Sequence, residues 1–306
     1  MGRKTPYKGT RRRRKGSRRH RRQKGGNPLS GVKQCIFIIA LTNGGLGNQL
    51  YLYAVALVLK RNFNIPIYTL PYTTIRQTPD YYKMLFKECI AIENNSEVEA
   101  RINAAENPFK DTDLFTKWSI PPATDKDIVI RDKYLQNHSC IVPVISDIRA
   151  PLMDVLSKKY TDVKVDSDSS CFLHVRRGDY VNIDSAVLPT SYYQAALDKI
   201  KGIDAIKTVY IVCEPSGKQW CIEQGFKTEK KIEWVDTPDE LRAFYTMCLC
   251  RAGAILSRST FSVWATEFGA DENPKSAIFI PSIWMTGKSS KECMLPERWE
   301  MIEIAS

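Results

Sequence analysis

Three short segments hold the residues best suited to chemistry, and all three suit an anion. The first is Asn43-Gly44-Gly45-Leu46-Gly47-Asn48-Gln49. Glycines at the start of a helix let backbone N–H groups approach a negative ligand at the helix's positive end. The spacing is not a dinucleotide fingerprint. Gly45-x-Gly47 begins GxGxxG, but Leu50 holds the third glycine position, and Ile65-Pro66-Ile67-Tyr68 stands where a ribose-clamping acid belongs. A bare strand-to-helix turn is the plain alternative. The second segment is His174-Val175-Arg176-Arg177-Gly178-Asp179-Tyr180. Adjacent arginines suit a pyrophosphate, because the planar guanidinium forks onto two oxygens and never loses its proton. The alternative is a surface pair bridging to Asp179 or Asp184. Arg177-Gly178-Asp179 also spells an adhesion tripeptide, discounted for want of an export signal. The third segment is Ser257-Arg258-Ser259-Thr260-Phe261-Ser262-Val263-Trp264. Hydroxyls and free N–H groups there form another anion seat, although Ser and Thr are also ordinary helix caps.

These segments need strands and helices to carry them. Residues 35–41 read as a short, fully apolar strand of the buried parallel kind. A helix over 48–61 follows, with Leu50, Ala54, Leu57, Val58 and Arg61 at helical spacing and Asn48 as candidate cap. A second strand is expected over 65–70. Between 72 and 150 the pattern weakens, with a helix expected at 80–92 and turns near Pro108, Pro121-Pro122 and Pro143. Helix returns at 152–160. A polar linker at 166–170 precedes a regular alternation. Strands are expected at 171–175, 208–213, 231–235, 254–257 and 277–280, and helices at 192–200, 218–224, 238–250 and 262–268. Repeated βα units imply open parallel sheets with ligands at the carboxyl ends of the strands. The chain has 306 residues, enough for two domains at roughly 100–200 residues each.

The net charge of +11 is misleading. Residues 1–26 carry 13 Lys or Arg and no acid, and removing those 13 leaves 32 basic against 34 acidic residues. The body is close to neutral, so a basic nucleic-acid groove is not expected there. Residues 1–30 are expected to be a disordered basic tail, suited to nucleic acid, an anionic membrane or an import receptor, or simply solvated. The nine cysteines are odd in number, lack a CxxC and sit mostly in apolar runs. They read as reduced, buried thiols rather than a disulfide frame or zinc site. No signal peptide or membrane span is legible, so a soluble, cytoplasmic protein is expected, with membrane association open to the tail. Three Asp-x-Asp triplets, Asp111/Asp113, Asp125/Asp127 and Asp166/Asp168, lie in turn-like stretches and read as loop carboxylates.

GGLGNQ after an N-terminal strand, HVRRGDY in mid-chain and STFS near the end together resemble the α-1,2-fucosyltransferases, glycosyltransferase family 11. The resemblance implies a GT-B-type α/β fold: two Rossmann-like domains facing a central cleft. Residues 31–165 would form the acceptor side and 166–306 the GDP-fucose-binding side. It implies metal-independent, inverting transfer of L-fucose to a glycan hydroxyl, α-1,2 to a galactose-like residue, with no cofactor. Arg176 would bind the donor phosphates, with Arg177 beside it. Asn48, with Gly45, Gly47 and Gln49, would reach the donor near fucose and phosphate. Ser259, Thr260, Phe261 and Ser262 would hold the pyrophosphate, and His174 would sit by the nucleotide. Asp179 is the candidate base. Departures are visible. Cys213-Glu214-Pro215 replaces Ser-Asp-Asp, leaving Glu214 as the one acid there; Arg258 replaces Asn, and Val263-Trp264 replaces Trp-Trp. A family member that binds nucleotide or glycan without turnover, and a nucleic-acid binder using the tail, are the competing expectations.

Overall fold

A computed structural model of the chain describes residues 29–39, 44–70, 81–113, 115–131, 134–183, 186–284, 288–293 and 295–304, with only the backbone of residues 82 and 83. The expected disorder of the basic tail falls almost wholly outside the described residues. Lys33–Ser306 forms one compact unit.

The elements run β1 (Ile36–Ile38), α1 (Leu46–Phe63), β2 (Ile67–Thr69), α2 (Tyr81–Met84), β3 (Cys89–Ala91), α3 (Ser96–Ala104), β4 (Ile128–Ile130), α4 (His138–Ile141) and α5 (Ile145–Lys159). A second run follows: β5 (Ser170–Val175), α6 (Thr190–Lys201), β6 (Thr208–Cys213), α7 (Pro215–Gln224), β7 (Lys231–Val235), α8 (Glu240–Leu249), β8 (Gly253–Ile255), α9 (Thr260–Phe268), β9 (Ala277–Pro281) and β10 (Glu300–Ile302). The first run builds a four-stranded sheet in the order β3-β2-β1-β4, and the second a six-stranded sheet in the order β10-β9-β8-β5-β6-β7. Every pairing among these strands is parallel. The α/β architecture expected of a GT-B-type chain is present, with two parallel sheets and helices connecting their strands.

Strand order fixes where a ligand can sit. In the larger sheet β5 is flanked by β8 on one side and β6 on the other. The chain reverses its direction of growth there, and a crevice opens at the carboxyl end of such a switch point. The six residues of β5 are all buried, so HVRRGDY leaves the sheet at its centre. α1 is buried from Leu46 to Leu59 except at Asn48, because it lies beneath its own sheet and also against α9. Tyr51 packs edge-on to Trp264 with centroids 5.2 Å apart. His138 Nε2 lies 2.7 Å from Glu267 Oε1 in the interior. One apolar core runs through residues of both sheets.

Several expectations need correction. The helix expected over 80–92 is only α2, followed by β3, since Cys89–Ala91 pairs with β2. α3, β4 and β10 were not expected. Asn48 does not cap α1: Gly45 is the N-cap. α5 begins earlier than expected and keeps Pro151 within it.

Candidate active site

Four helices begin at one place. The starts of α1 (Gly45, Leu46, Gly47), α7 (Pro215), α8 (Glu240) and α9 (Thr260, Phe261) line a single cavity of about 460 Å³. Each of these helices follows a parallel strand, so each points its N-terminus to the carboxyl side of its sheet. Unsatisfied N–H groups and the helix dipole make that side positive. Arg176, one residue beyond β5, adds a full charge to the same cavity.

The glycine turn and α9 meet closely. A Cβ on Gly47 would fall 2.5 Å from Thr260 Oγ1 and 2.6 Å from the Phe261 nitrogen. Glycine at this position is therefore explained by packing between two helix starts. Asn48 Oδ1 accepts from Thr260 Oγ1 at 3.0 Å and from Gln136 Nε2 at 2.8 Å. It joins the two sheets' helices and still lines the cavity. Ser259 caps α9 by accepting from the Phe261 N–H at 3.3 Å.

Arg176 reaches Glu214 through Nη1 and Asp179 through Nη2, the latter at 2.7 Å. It also lies 5.0 Å from the Tyr180 ring centroid. Burial works against its charge, but Glu214 and Asp179, then Tyr180 and Glu240, outweigh that and raise its pKa. Glu214 takes the Arg177 backbone N–H at 3.1 Å. Its close approach leaves no room at Gly178, where a Cβ would stand 3.0 Å from Oε1. His174 is buried, with Nδ1 2.7 Å from Ser257 Oγ. Burial first, and then Arg176, lower its pKa to about 3. The imidazole is neutral at ordinary pH and offers hydrogen bonds rather than charge.

Ten of the thirteen expected site residues line the cavity: Gly45, Gly47, Asn48, His174, Arg176, Asp179, Glu214, Ser259, Thr260 and Phe261. Three do not. Gln49 is buried and braces the turn by donating to the Gly44 carbonyl at 3.1 Å. Ser262 is buried, donating to the Ser259 carbonyl at 2.9 Å. Arg177 lies 4.1 Å from the Trp220 ring centroid. Sequence reasoning missed Glu240, Tyr134, Tyr180 and Thr237 as lining residues. No signal marked them, beyond the position of Tyr180 in the HVRRGDY segment. One acid of each Asp-x-Asp triplet is engaged elsewhere: Asp127 with Arg101, Asp113 with Lys288, and Asp166 with Ser169. Among the described residues no group of three or more His, Cys, Asp or Glu is arranged to hold a metal. All nine cysteines are unpaired thiols.

The model of glycosyl transferase family 11 matches residues 43–280. The chain belongs to glycosyl transferase family 11. Among curated proteins no sequence matches it. Several solved structures are similar at low identity. The fucosyltransferase NodZ from Bradyrhizobium is 14% identical, with a TM-score of 0.42 over 76% of this chain and 92% of that one. POFUT1 in complex with GDP-fucose is 10% identical, with a TM-score of 0.41 over 80% and 97%. A glycosyl transferase family 9 protein from Veillonella parvula is 10% identical, with a TM-score of 0.44 over 89% and 87%. The family model takes in the glycine turn from Asn43, HVRRGDY and STFS, so all three segments of this transferase lie inside the match. No helix among the described residues is long and apolar enough to cross a membrane.

Proposed function

We propose that this family 11 transferase moves L-fucose from GDP-fucose to a hydroxyl of a glycan acceptor, α-1,2 to a galactose-like residue, with inversion and without a metal. The donor side is residues 166–306 and the acceptor side 31–165. The observation that carries the reading is the convergence of four helix N-termini and Arg176 on one cavity. Such a seat suits a pyrophosphate. Fucosyl transfer leaves negative charge on GDP, and donors fixed before the reaction stabilise that charge without reorganising. Family membership and the GGLGNQ and HVRRGD motifs support fucose as the sugar and guanosine as the nucleoside.

The cavity's acids favour a sugar nucleotide over a nucleic-acid backbone. Asp179, Glu214 and Glu240 outnumber Arg176 in the lining. Carboxylates accept from hydroxyls and base N–H groups but repel a run of phosphates. The basic tail, which lies almost wholly outside the described residues, is proposed as the segment suited to nucleic acid or an anionic membrane.

The test is release of GDP from GDP-fucose by the full chain, with and without a lactose-type acceptor and EDTA, beside Arg176→Ala. Acceptor-stimulated release that survives EDTA and is lost in the variant is expected. GDP binding in calorimetry without turnover would mark a family member that only binds. An absence of both would end the reading.

A further inference from the structure

The three carboxylates of the cavity are not equivalent. Asp179 and Glu214 are ion-paired with Arg176. Their negative charge is spent against that guanidinium: Asp179 through Oδ1, and Glu214 through Oε1 while its Oε2 takes the Arg177 N–H. Glu240 is held differently. Its Oε2 accepts from the Tyr81 hydroxyl at 2.5 Å, a neutral donor carried by α2 from the smaller sheet's run. Among the described residues no cationic side chain forms an ion pair with it, and Arg176 acts on it only through longer-range charge.

Position sharpens the contrast. Glu240 is the first residue of α8, whose cap is Asp239, with Oδ1 accepting from the Leu241 and Arg242 N–H groups. The cap turns Asp239 back onto its own helix and leaves Glu240 facing the cavity. Its Oε1 stands 3.6 Å from the point a Gly45 Cβ would occupy. A free carboxylate oxygen therefore lies at the seam between the glycine turn of one sheet and the charged wall of the other. The absence of a side chain at Gly45 keeps the space before it open.

Resting on the transferase reading above, we infer that Glu240, not Asp179, accepts the proton of the acceptor hydroxyl, and that Tyr81 is its positioning residue. The acceptor oxygen attacks C1 of fucose as the bond from C1 to the phosphate oxygen breaks. The electron pair of that bond leaves on GDP, beside Arg176 and the helix starts. The hydroxyl proton passes to Glu240 Oε1 and then to solvent. A base within hydrogen-bond reach of the attacking hydroxyl contributes at this step. Tyr81 fixes one carboxylate oxygen and leaves the other for the proton.

The groups that face Glu240 are the Tyr81 hydroxyl from α2, Arg176 beyond β5, and Asp239 on its own helix, with Tyr160 at the end of α5 behind them. Asp179 and Glu214 are both held by Arg176. The phenols of Tyr134 and Tyr180 share the cavity.

The experiment compares wild type, Glu240→Gln, Glu240→Asp, Tyr81→Phe and Asp179→Asn by GDP release across pH, with GDP affinity measured by calorimetry on each full chain. Glu240→Gln is expected to lower kcat by about 100-fold to 10,000-fold and to lose the acid limb of the profile, with GDP affinity close to that of wild type. Glu240→Asp should restore part of the rate. Tyr81→Phe should lower kcat while KM and GDP affinity stay close to wild type, because the carboxylate loses the hydroxyl that orients it. If Glu240→Gln weakens GDP binding while kcat holds, Glu240 reads the donor and the inference is overturned. If Asp179→Asn loses the acid limb while Glu240→Gln keeps it, Asp179 is the base and the inference is again overturned. In both cases wild-type turnover leaves the transferase reading standing. A wild type that binds GDP without turnover overturns both.

Discussion

The two walls of the cavity do different work. The wall from the four-stranded sheet offers mostly main chain: Gly45, Leu46 and Gly47 at the start of α1, with Asn48 and Tyr134. The wall from the six-stranded sheet offers charge: Arg176, Asp179, Glu214 and Glu240, with neutral His174 among them. Strands of the first sheet are three residues long, while β5 and β6 have six. A long, fully buried central strand holds Arg176 in a fixed place. The glycine turn needs only to come close. One wall therefore depends on chemical identity and the other on the absence of side chains.

The comparison breaks most sharply at Arg176. Arg176→Ala is expected to lower kcat/KM by about 100-fold to 1,000-fold, since one donor to developing negative charge is typically worth about 3 kcal/mol. GDP affinity measured by calorimetry should fall with it. A loss under threefold would mean that the helix starts alone hold the phosphates.

Gly47→Ala tests the other wall. Glycine to alanine within a helix normally gains about 1 kcal/mol. Here the new methyl would meet Thr260 and the Phe261 backbone at 2.5–2.6 Å, and overpacking of that kind costs about 1–3 kcal/mol. The clash is with backbone, so it should win. A lower melting temperature and weaker GDP binding are expected together. A melting temperature at or above wild type would show that α1 and α9 can part without cost.

His174 sharpens the picture of the charged wall by carrying no charge. Folding holds its pKa at about 3, against 6.5 in the unfolded chain. Between those values the unfolded chain binds a proton that the folded chain refuses. Stability therefore falls as pH drops from about 6.5 toward 3, by up to about 1.4 kcal/mol per unit. In urea titrations wild type should lose about 2 kcal/mol more than His174→Asn between pH 7 and pH 5. Equal losses would mean that the imidazole takes its proton in the folded state.

Much of the larger sheet was legible and much of the smaller was not. The spans 208–213 and 231–235 coincide with β6 and β7. The first is an apolar, β-branched run, and the second alternates charged and apolar residues from Lys231 before ending on Val235, so both are long enough to show a pattern. β3 and β4 are three-residue strands whose pairing comes from the sheet around them, and so short a run has no period. Site residues divided in the same way. Glycines and paired arginines stand out by type, and Arg176 lines the cavity. Motif membership does not say which way a side chain turns, and Gln49 and Ser262 turn inward to backbone. Glu240 was hidden because an acid in the first turn of a helix is an ordinary complement to the dipole. Only the fold brings Tyr81 to it.

Arg177 gives the smallest effect and the closest control for Arg176. The two share a side-chain type and adjacent positions, yet Arg177 lies over Trp220 while its backbone N–H serves Glu214. Truncation removes the stacking and keeps the backbone bond. Arg177→Ala should therefore cost about 0.5–1 kcal/mol of stability, the usual scale of such a stack at a partly exposed site. Its kcat/KM should stay within about threefold of wild type, a difference near 0.6 kcal/mol. Thermal unfolding and GDP release on the same preparation read both. A loss of activity as large as that of Arg176→Ala would show that Arg177 leaves Trp220 when the donor binds and joins the phosphate site.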